Sequence, residues 1–137
     1  PRSRRNPQFN RENLPATLRE AGIEYVHMAG LGGFRRPRPD SINAAWRNES
    51  FRGYADYMQT DEFAGYLAAL IERAASERVA IMCAEAVPWR CHRSLIADAL
   101  LVRGIEVAEI VDEKHVQPHK LTKFAKVEGT KVIYPAN

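Results

Sequence analysis

Residues 79–110 read VAIMCAEAVPWRCHRSLIADALLVRGIEVAEI. The apolar run at residues 79–83 has the length of a β-strand and does not alternate with polar residues, which is typical of a strand buried on both faces. Residues 94–102 have a helical composition that ends before Gly104, and residues 105–110 are again apolar and strand-like. A strand, a helix and a second strand in this order predict a βαβ unit.

The flanking sequence predicts further elements of the same kind. Residues 23–28 contain alternating β-branched and aromatic residues, which indicates a third strand. Residues 11–21 predict a short helix, and the apolar positions between Phe63 and Ala74 follow the helical spacing i, i+3, i+4, i+7. The predicted fold class is therefore α/β, a single domain over residues 1–137 with a mostly parallel sheet flanked by helices.

Length and composition limit the class of protein. The chain has 137 residues, 45% hydrophobic and 27% charged, which suits one compact core. No apolar run approaches the ~20 residues that span a bilayer, and the first residues lack the apolar segment of a signal peptide. Two cysteines are too few for the disulfide framework of a small secreted protein. We therefore expect a cytoplasmic protein with no membrane partner.

The positive charge is concentrated near the amino terminus. Residues 1–38 contain eight arginines and three glutamates, whereas residues 39–137 contain twelve basic and fourteen acidic side chains. Guanidinium groups bind phosphate in a bidentate manner, so such clusters favour an anionic partner, of which nucleic acid is the commonest large example. A solvated, solubilising surface explains the same charges equally well. Seven of these eight arginines form two groups, which we expect to share one surface: Arg2, Arg4, Arg5 and Arg11, and then Arg35, Arg36 and Arg38.

The loop between the strand at residues 79–83 and the following helix is the predicted site. In open α/β sheets, ligands bind outside the carboxyl ends of the strands, which is where this loop would lie. Cys91, His92 and Arg93 stand at the start of the helix, where unpaired amides and the helix dipole hold anions and lower the pKa of a thiol. This placement predicts a reactive thiol or an anion site.

Cysteines in such a loop are also found in two more specific kinds of site, the cysteine-phosphatase loop and the zinc site. A cysteine-phosphatase loop requires Cys-x5-Arg, but Trp89 occupies the arginine position relative to Cys83. The ligands of a zinc site would be Cys83, Cys91 and His92 with His115 or His119. The spacing of this set differs from that of common zinc modules, and Cys83 alone is typical of a small buried residue.

Several short segments along the chain have the character of family motifs. The segments are PRSRRNPQF (1–9), GIEY (22–25), LGG (31–33), FRGYA (51–55), CAE (83–85) with CHRS (91–94), and PHKLT (118–122). Together they resemble the DUF488 family, and the likeness spans nearly the whole chain. The Cys83 to Ser94 motif is its most specific mark.

The resemblance implies an α/β domain with a shared site but no established activity, since the family name denotes an unknown function. Family members usually begin with a helix and a strand ending in Asp-Val-Arg before a Pro-x-Ser segment. The resemblance therefore implies that this helix and strand are missing from the chain, which starts at Pro1-Arg2-Ser3. By position, the family motifs also bring Arg52, Tyr54, Glu85 and His119 into the candidate site.

The leading hypothesis is an anion-binding cleft that recognises nucleic acid or a nucleotide, with Cys/His-based catalysis as an additional activity. One alternative is a non-catalytic nucleic-acid adaptor with a structural Cys/His cluster, and another is a metal-dependent hydrolase with Glu85 as general base. No cofactor or resident metal is expected, and the oligomeric state is left open. The predicted catalytic residues are Cys91, His92 and Glu85. The predicted phosphate ligands are Arg2, Ser3, Arg4, Arg5, Arg35, Arg52, Tyr54, Arg93 and His119.

Overall fold

The computed structural model describes residues 12–33, 35–83 and 91–136. Within these residues the chain forms four α-helices, a 3₁₀ turn and two small sheets. The helices are α1 (Leu14–Glu20), α2 (Glu49–Tyr57), α3 (Asp61–Ser76) and α4 (Arg93–Leu101), with the 3₁₀ turn at Ala29–Leu31. The strands are β1 (Ala108–Ile110), β2 (Val116–Pro118), β3 (Lys126–Glu128) and β4 (Lys131–Ile133). In the described part of the chain, no helix is long and apolar enough to cross a membrane.

The helix predicted after Thr60 is confirmed as α3. The hydroxyl of Thr60 accepts a hydrogen bond from the amide of Phe63 at 3.2 Å, which satisfies one of the first-turn donors. Phe63, Leu67 and Leu70 form the buried face. The apolar spacing therefore predicted both the helix and the side that it packs.

Helix α4 lies at the centre of the molecule. Every residue from Ser94 to Leu100 is buried, so this helix is covered on all sides. The core joins it to α2, α3 and β4 and is completed by Leu31 and Tyr134. Since α4 begins two residues after Cys91, the candidate site lies at the start of the most buried helix of the fold.

The prediction of a mostly parallel sheet was wrong. Among the described residues the two sheets are antiparallel pairs, β1 with β2 and β3 with β4. Residues 23–28 and 79–83 belong to neither sheet, and side chains such as Ile23 (53% exposed) and Met82 (51%) face solvent. An apolar run favours extended backbone, but a strand also needs a neighbour for its N–H and C=O groups, and the run does not specify that neighbour.

The predicted βαβ unit is replaced by a local hairpin. Only the end of the predicted strand at residues 105–110 becomes β1, and it pairs with β2 immediately downstream. The Asp112 carboxylate closes the turn by accepting the amides of Lys114 and His115, both at 2.8 Å. A hairpin closes with far less loop entropy than a crossover to a distant strand, so the nearer partner is favoured.

The segment containing Arg35 and Arg38 is fixed to α2 by a buried carboxylate. Asp56 accepts hydrogen bonds from the Arg38 amide at 2.8 Å, from the Ser41 hydroxyl at 2.6 Å and from the Asn43 side-chain amide at 2.8 Å. These contacts hold the segment against the helix that carries Tyr54.

Gly53 permits the close approach of this segment, and substitutions there test it. A Cβ on Gly53 would collide with the carbonyl of Arg35, whereas a Cβ on Gly65 in α3 meets nothing within 4 Å. We expect Gly53→Ala to lower the free energy of unfolding by roughly 1–3 kcal/mol because the loop must shift. The control, Gly65→Ala, should raise it by about 0.5–1 kcal/mol because alanine favours the helix. Urea denaturation measures both, and equal effects at the two positions would contradict this packing.

Candidate functional site

Cys91 lies two residues before the first residue of α4, and that helix supplies hydrogen bonds to its sulfur. The backbone amide of Arg93 donates to Cys91 Sγ at 3.2 Å, and the Arg93 side-chain Nε donates to the same sulfur at 3.0 Å. Amides of the first helical turn have no acceptor within the helix, so they are available to a neighbouring anion. One residue thus provides a helix-terminal amide and a positive charge to the thiol.

Cys83 faces the same sulfur. The two Sγ atoms are 2.9 Å apart, and both residues are free cysteines with no disulfide between them. Cys91 is buried, at 5% exposure, and Cys83 is half-buried. Sequence reasoning treated Cys83 as a packing residue or a zinc ligand and did not place it among the catalytic residues.

These contacts strongly favour ionisation of Cys91. The hydrogen bond from Cys83 lowers the pKa of the Cys91 thiol most, burial opposes this by raising it, and hydrogen bonds from His92 and Arg93 lower it further. Together they lower the pKa of Cys91 to about 3. These contacts therefore favour the thiolate form of Cys91 at neutral pH.

His92 packs between the thiolate and an aromatic side chain. Its Nδ1 lies 3.9 Å from Cys91 Sγ, and its ring centroid is 5.0 Å from that of Tyr54. A Cβ on Gly33 would lie 3.2 Å from His92 Nδ1, so the turn at residues 31–33 needs a small residue next to this ring. The Tyr54 hydroxyl donates to the Leu31 carbonyl at 2.8 Å and fixes the same turn.

Arg35 supplies a second positive charge on this side of the molecule. Its guanidinium lies 3.7 Å above the ring of Tyr57, whose ring contacts that of Tyr54 at 6.0 Å. Burial raises the pKa of Tyr54 most, and the nearby charges act in opposite directions, with Arg35 lowering this pKa and Cys91 raising it. Arg35 and Cys91 are thus both close enough to affect the pKa of Tyr54. The site contains two positive charges, on Arg35 and Arg93, and one thiolate, Cys91.

Cys83, Cys91 and His92 form the one group of metal-ligand side chains found in the described residues. Their ligand atoms lie within 4.8 Å of one another, a spacing that a metal ion can use. Two features oppose a structural zinc: the group has three members where such sites have four, and the Arg93 guanidinium already contacts one of the sulfurs. The other two predicted zinc ligands have carboxylate partners instead, Asp112 for His115 and both Asp98 and Glu109 for His119.

Some of the remaining predicted site residues belong to the described part of the chain, and the others lie outside it. Arg52 is half-buried and donates to the carbonyl of Trp46 at 3.4 Å, and His119 belongs to a separate polar network. Neither of these hydrogen bonds involves Cys83 or Cys91. The other predicted positions, Arg2, Ser3, Arg4, Arg5 and Glu85, lie outside the described residues. The predicted single surface formed by the two arginine clusters stays a prediction for the same reason.

His119 lies between two carboxylates. Its Nε2 is 2.7 Å from Asp98 Oδ1 and its Nδ1 is 2.6 Å from Glu109 Oε1. Burial alone would lower the pKa of His119, but the hydrogen bonds to Asp98 and Glu109 outweigh burial and raise this pKa. Both ring nitrogens therefore donate, and the imidazolium joins α4 to β1.

Asp98 is the centre of this network, and sequence reasoning did not identify it. Besides His119, its carboxylate accepts the Thr122 amide at 3.1 Å, the Thr122 hydroxyl at 2.6 Å and the Tyr134 hydroxyl at 2.8 Å. The available signal was a single aspartate within the apolar sequence SLIADALL, since a carboxylate on a buried helix must have partners. The network ties the carboxyl-terminal third of the chain to the helix that follows Cys91.

Comparison with known proteins gives one match. No curated protein and no solved structure matches the chain. The family model described as "Domain of unknown function DUF488" matches residues 1–100, which include α1 to α3, both cysteines and most of α4. The match covers well over half of the 137 residues and confirms the resemblance, although the predicted PHKLT motif (118–122) lies beyond the matched region. The chain therefore belongs to the DUF488 family, and Cys83, Cys91, His92 and Arg93 lie within the matched region.

Proposed function

We propose that the protein is an enzyme in which the Cys91 thiolate attacks an electrophilic centre of a phosphate-bearing ligand, a nucleotide or nucleic acid. The observation that carries this proposal is the environment of the Cys91 sulfur, which accepts the amide and the guanidinium of Arg93 and faces the thiol of Cys83. A cysteine nucleophile acts as the thiolate, and these are the contacts that stabilise one.

Two arginines support the choice of an anionic ligand. Arg93 contacts the sulfur directly, and Arg35 lies over the neighbouring aromatic pair of Tyr54 and Tyr57. Guanidinium groups bind phosphate oxygens in a planar, bidentate manner, and a phosphate between them would hold the substrate next to the sulfur. Exposed Arg36, on the segment fixed by Asp56, extends the positive surface for a longer nucleic-acid chain, whereas the Arg38 guanidinium is paired with Asp40 at 3.2 Å.

His92 has a role in proton transfer in this mechanism. Its ring is held by Tyr54 and Gly33 with Nδ1 3.9 Å from the nucleophile. In this proposal the His92 ring, next to the sulfur, acts as the proton donor to the leaving group as the bond from sulfur forms. The carboxylate predicted at Glu85 belongs to the same motif, and its role stays a prediction.

Ligand protection of Cys91 tests this proposal. Adenosine monophosphate or a short single-stranded oligonucleotide bound between the two arginines would cover the sulfur, so we expect either to slow iodoacetamide alkylation of Cys91 by roughly tenfold at saturation. Arg35→Gln should abolish the protection, and Arg47→Gln, an exposed arginine outside the site, should retain it. Peptide mapping by mass spectrometry assigns the alkylated cysteine.

The outcomes separate the candidate functions. Protection that weakens steeply with added salt indicates that several phosphates are neutralised, which favours nucleic acid over a mononucleotide. Tight oligonucleotide binding that is unchanged in Cys91→Ser and leaves Cys91 fully reactive would favour the non-catalytic adaptor. No protection by either ligand at low salt would refute the phosphate-bearing substrate.

A further inference from the structure

The two cysteine sulfurs are already close to bonding distance. Their 2.9 Å separation exceeds an S–S bond by roughly 0.9 Å. A bond between Cys83 and Cys91 therefore requires the two sulfurs to approach by less than about 1 Å. The surroundings of the two sulfurs differ, since the Arg93 amide and the Arg93 guanidinium both donate hydrogen bonds to Cys91 Sγ.

We propose that Cys91 and Cys83 are a hydroperoxide-reactive pair, in which Cys91 is oxidised first and Cys83 then closes a reversible disulfide. This inference uses the nucleophilic Cys91 of the proposed function and does not depend on its phosphate-bearing substrate. The disulfide removes the nucleophile, so the site is inactive in the oxidised state and active again after reduction.

Atoms and electrons are conserved in both steps of this oxidation. The Cys91 thiolate attacks one oxygen of the hydroperoxide, forming an S–O bond and breaking the O–O bond, which gives a sulfenic acid and releases hydroxide or alkoxide. The Cys83 sulfur then attacks the sulfenic sulfur, forming the S–S bond and releasing the hydroxyl group, which leaves as water with the Cys83 proton. Two thiols are oxidised by two electrons and the hydroperoxide is reduced. A small dithiol restores both thiols by exchange.

The surroundings of Cys91 suit this reaction. The Arg93 guanidinium at 3.0 Å stabilises the thiolate and the negative charge that passes to the departing oxygen. Hydrogen peroxide is about the size of two water molecules and therefore needs little space to reach Cys91, which is 5% exposed. The same guanidinium opposes binding of a metal cation by the two sulfurs.

Oxidation of the purified protein by hydrogen peroxide, without any phosphate ligand, tests the inference. We expect the intact mass to fall by two hydrogens, non-reducing peptide maps to show Cys83 joined to Cys91, and dithiothreitol to restore both thiols. In Cys83→Ser, dimedone should trap a sulfenic acid on Cys91. In Cys91→Ser, oxidation of Cys83 should be at least roughly tenfold slower, because the activated thiolate is gone.

Arg93→Gln should slow oxidation of the wild-type pair, and the matched variant Arg47→Gln should leave the rate unchanged. Circular dichroism confirms that each variant is folded, and the wild-type result stands without any variant. Three results would each overturn the inference: equal rates in Cys91→Ser and wild type, a sulfinic acid on Cys91 beside an unmodified Cys83 thiol, or disulfides only between molecules. Resistance of both thiols that disappears with a chelator would also overturn it and would assign the pair to a metal.

This experiment is independent of the ligand-protection test. A disulfide that forms normally in a protein that phosphate ligands do not protect would refute the proposed substrate and leave the redox pair standing. Protection by the ligand without disulfide formation would refute the redox pair alone.

Discussion

His119→Gln is expected to lower the free energy of unfolding by roughly 3–5 kcal/mol, because removing one partner of a buried ion pair leaves the other charge uncompensated. Asp98 is fully buried and His119 is its charged partner, with a second contact to Glu109. Glutamine preserves much of the size and one hydrogen-bond donor but not the positive charge. Urea denaturation followed by circular dichroism measures the loss.

His115 provides the matched control. It also pairs with an aspartate, Asp112, at 2.7 Å, but both side chains are exposed to solvent. Exposed ion pairs contribute about 0–1 kcal/mol, so His115→Gln should change the unfolding free energy by no more than that. Similar losses in the two variants would contradict the structural role assigned to the buried network.

The stability that His119 contributes should depend on pH in a defined direction. Its pKa is raised in the folded protein, so folding favours the protonated form. The contribution is therefore complete below the unfolded value of about 6.5 and declines as pH rises through the raised pKa of the folded state. The difference in unfolding free energy between wild type and His119→Gln should shrink from about pH 6 upward. A difference that grows over this range would show that the neutral imidazole is the form that is stabilised.

Alkylation of Cys91 should be nearly independent of pH between about pH 5 and about pH 8, because its pKa of about 3 keeps it ionised throughout. An ordinary thiol with a pKa near 8.5 changes its thiolate fraction by roughly 1,000-fold over the same range. An alkylation rate that does not change with pH is the result that identifies Cys91 as a low-pKa thiol. The absolute rate is less informative, since a low-pKa thiolate is intrinsically less nucleophilic and Cys91 is buried.

The measurement is cleanest in Cys83→Ser, which leaves one thiol and keeps a hydroxyl donor at the position of the Cys83 thiol. The same variant unfolded in urea should recover the steep pH dependence of an ordinary cysteine. Arg93→Gln should move the inflection to higher pH because the thiolate loses its guanidinium donor, whereas Arg47→Gln should not. A rate in the folded protein that rises tenfold per pH unit between about pH 5 and about pH 8 would show that Cys91 is not the stabilised thiolate.

Local sequence signals were sufficient for helices α1, α3 and α4 and for the position of the thiol, but they did not predict α2. The apolar spacing after Thr60 predicted α3, and the apolar composition of residues 94–102 predicted α4. The order Cys91-His92-Arg93 before a helix predicted a thiol at a helix start, and the structure confirms that position. These features depend on residues within one or two turns of one another, where periodicity, capping and helix-end amides act.

Strand pairing and the partners of the site residues were decided by tertiary structure. Apolar residues 79–83 and 23–28 predicted strands in a parallel sheet, yet hydrogen bonding between strands depends on which distant segment lies alongside, and the sheets that form are local hairpins. The approach of Cys83 to Cys91 and the burial of His119 between Asp98 and Glu109 join residues 8 to 21 positions apart. The sequence by itself determined the family, helices α1, α3 and α4, and a thiol at the start of α4. Only the folded chain determined which donors surround that thiol, because such contacts arise from packing between elements and no local pattern encodes them.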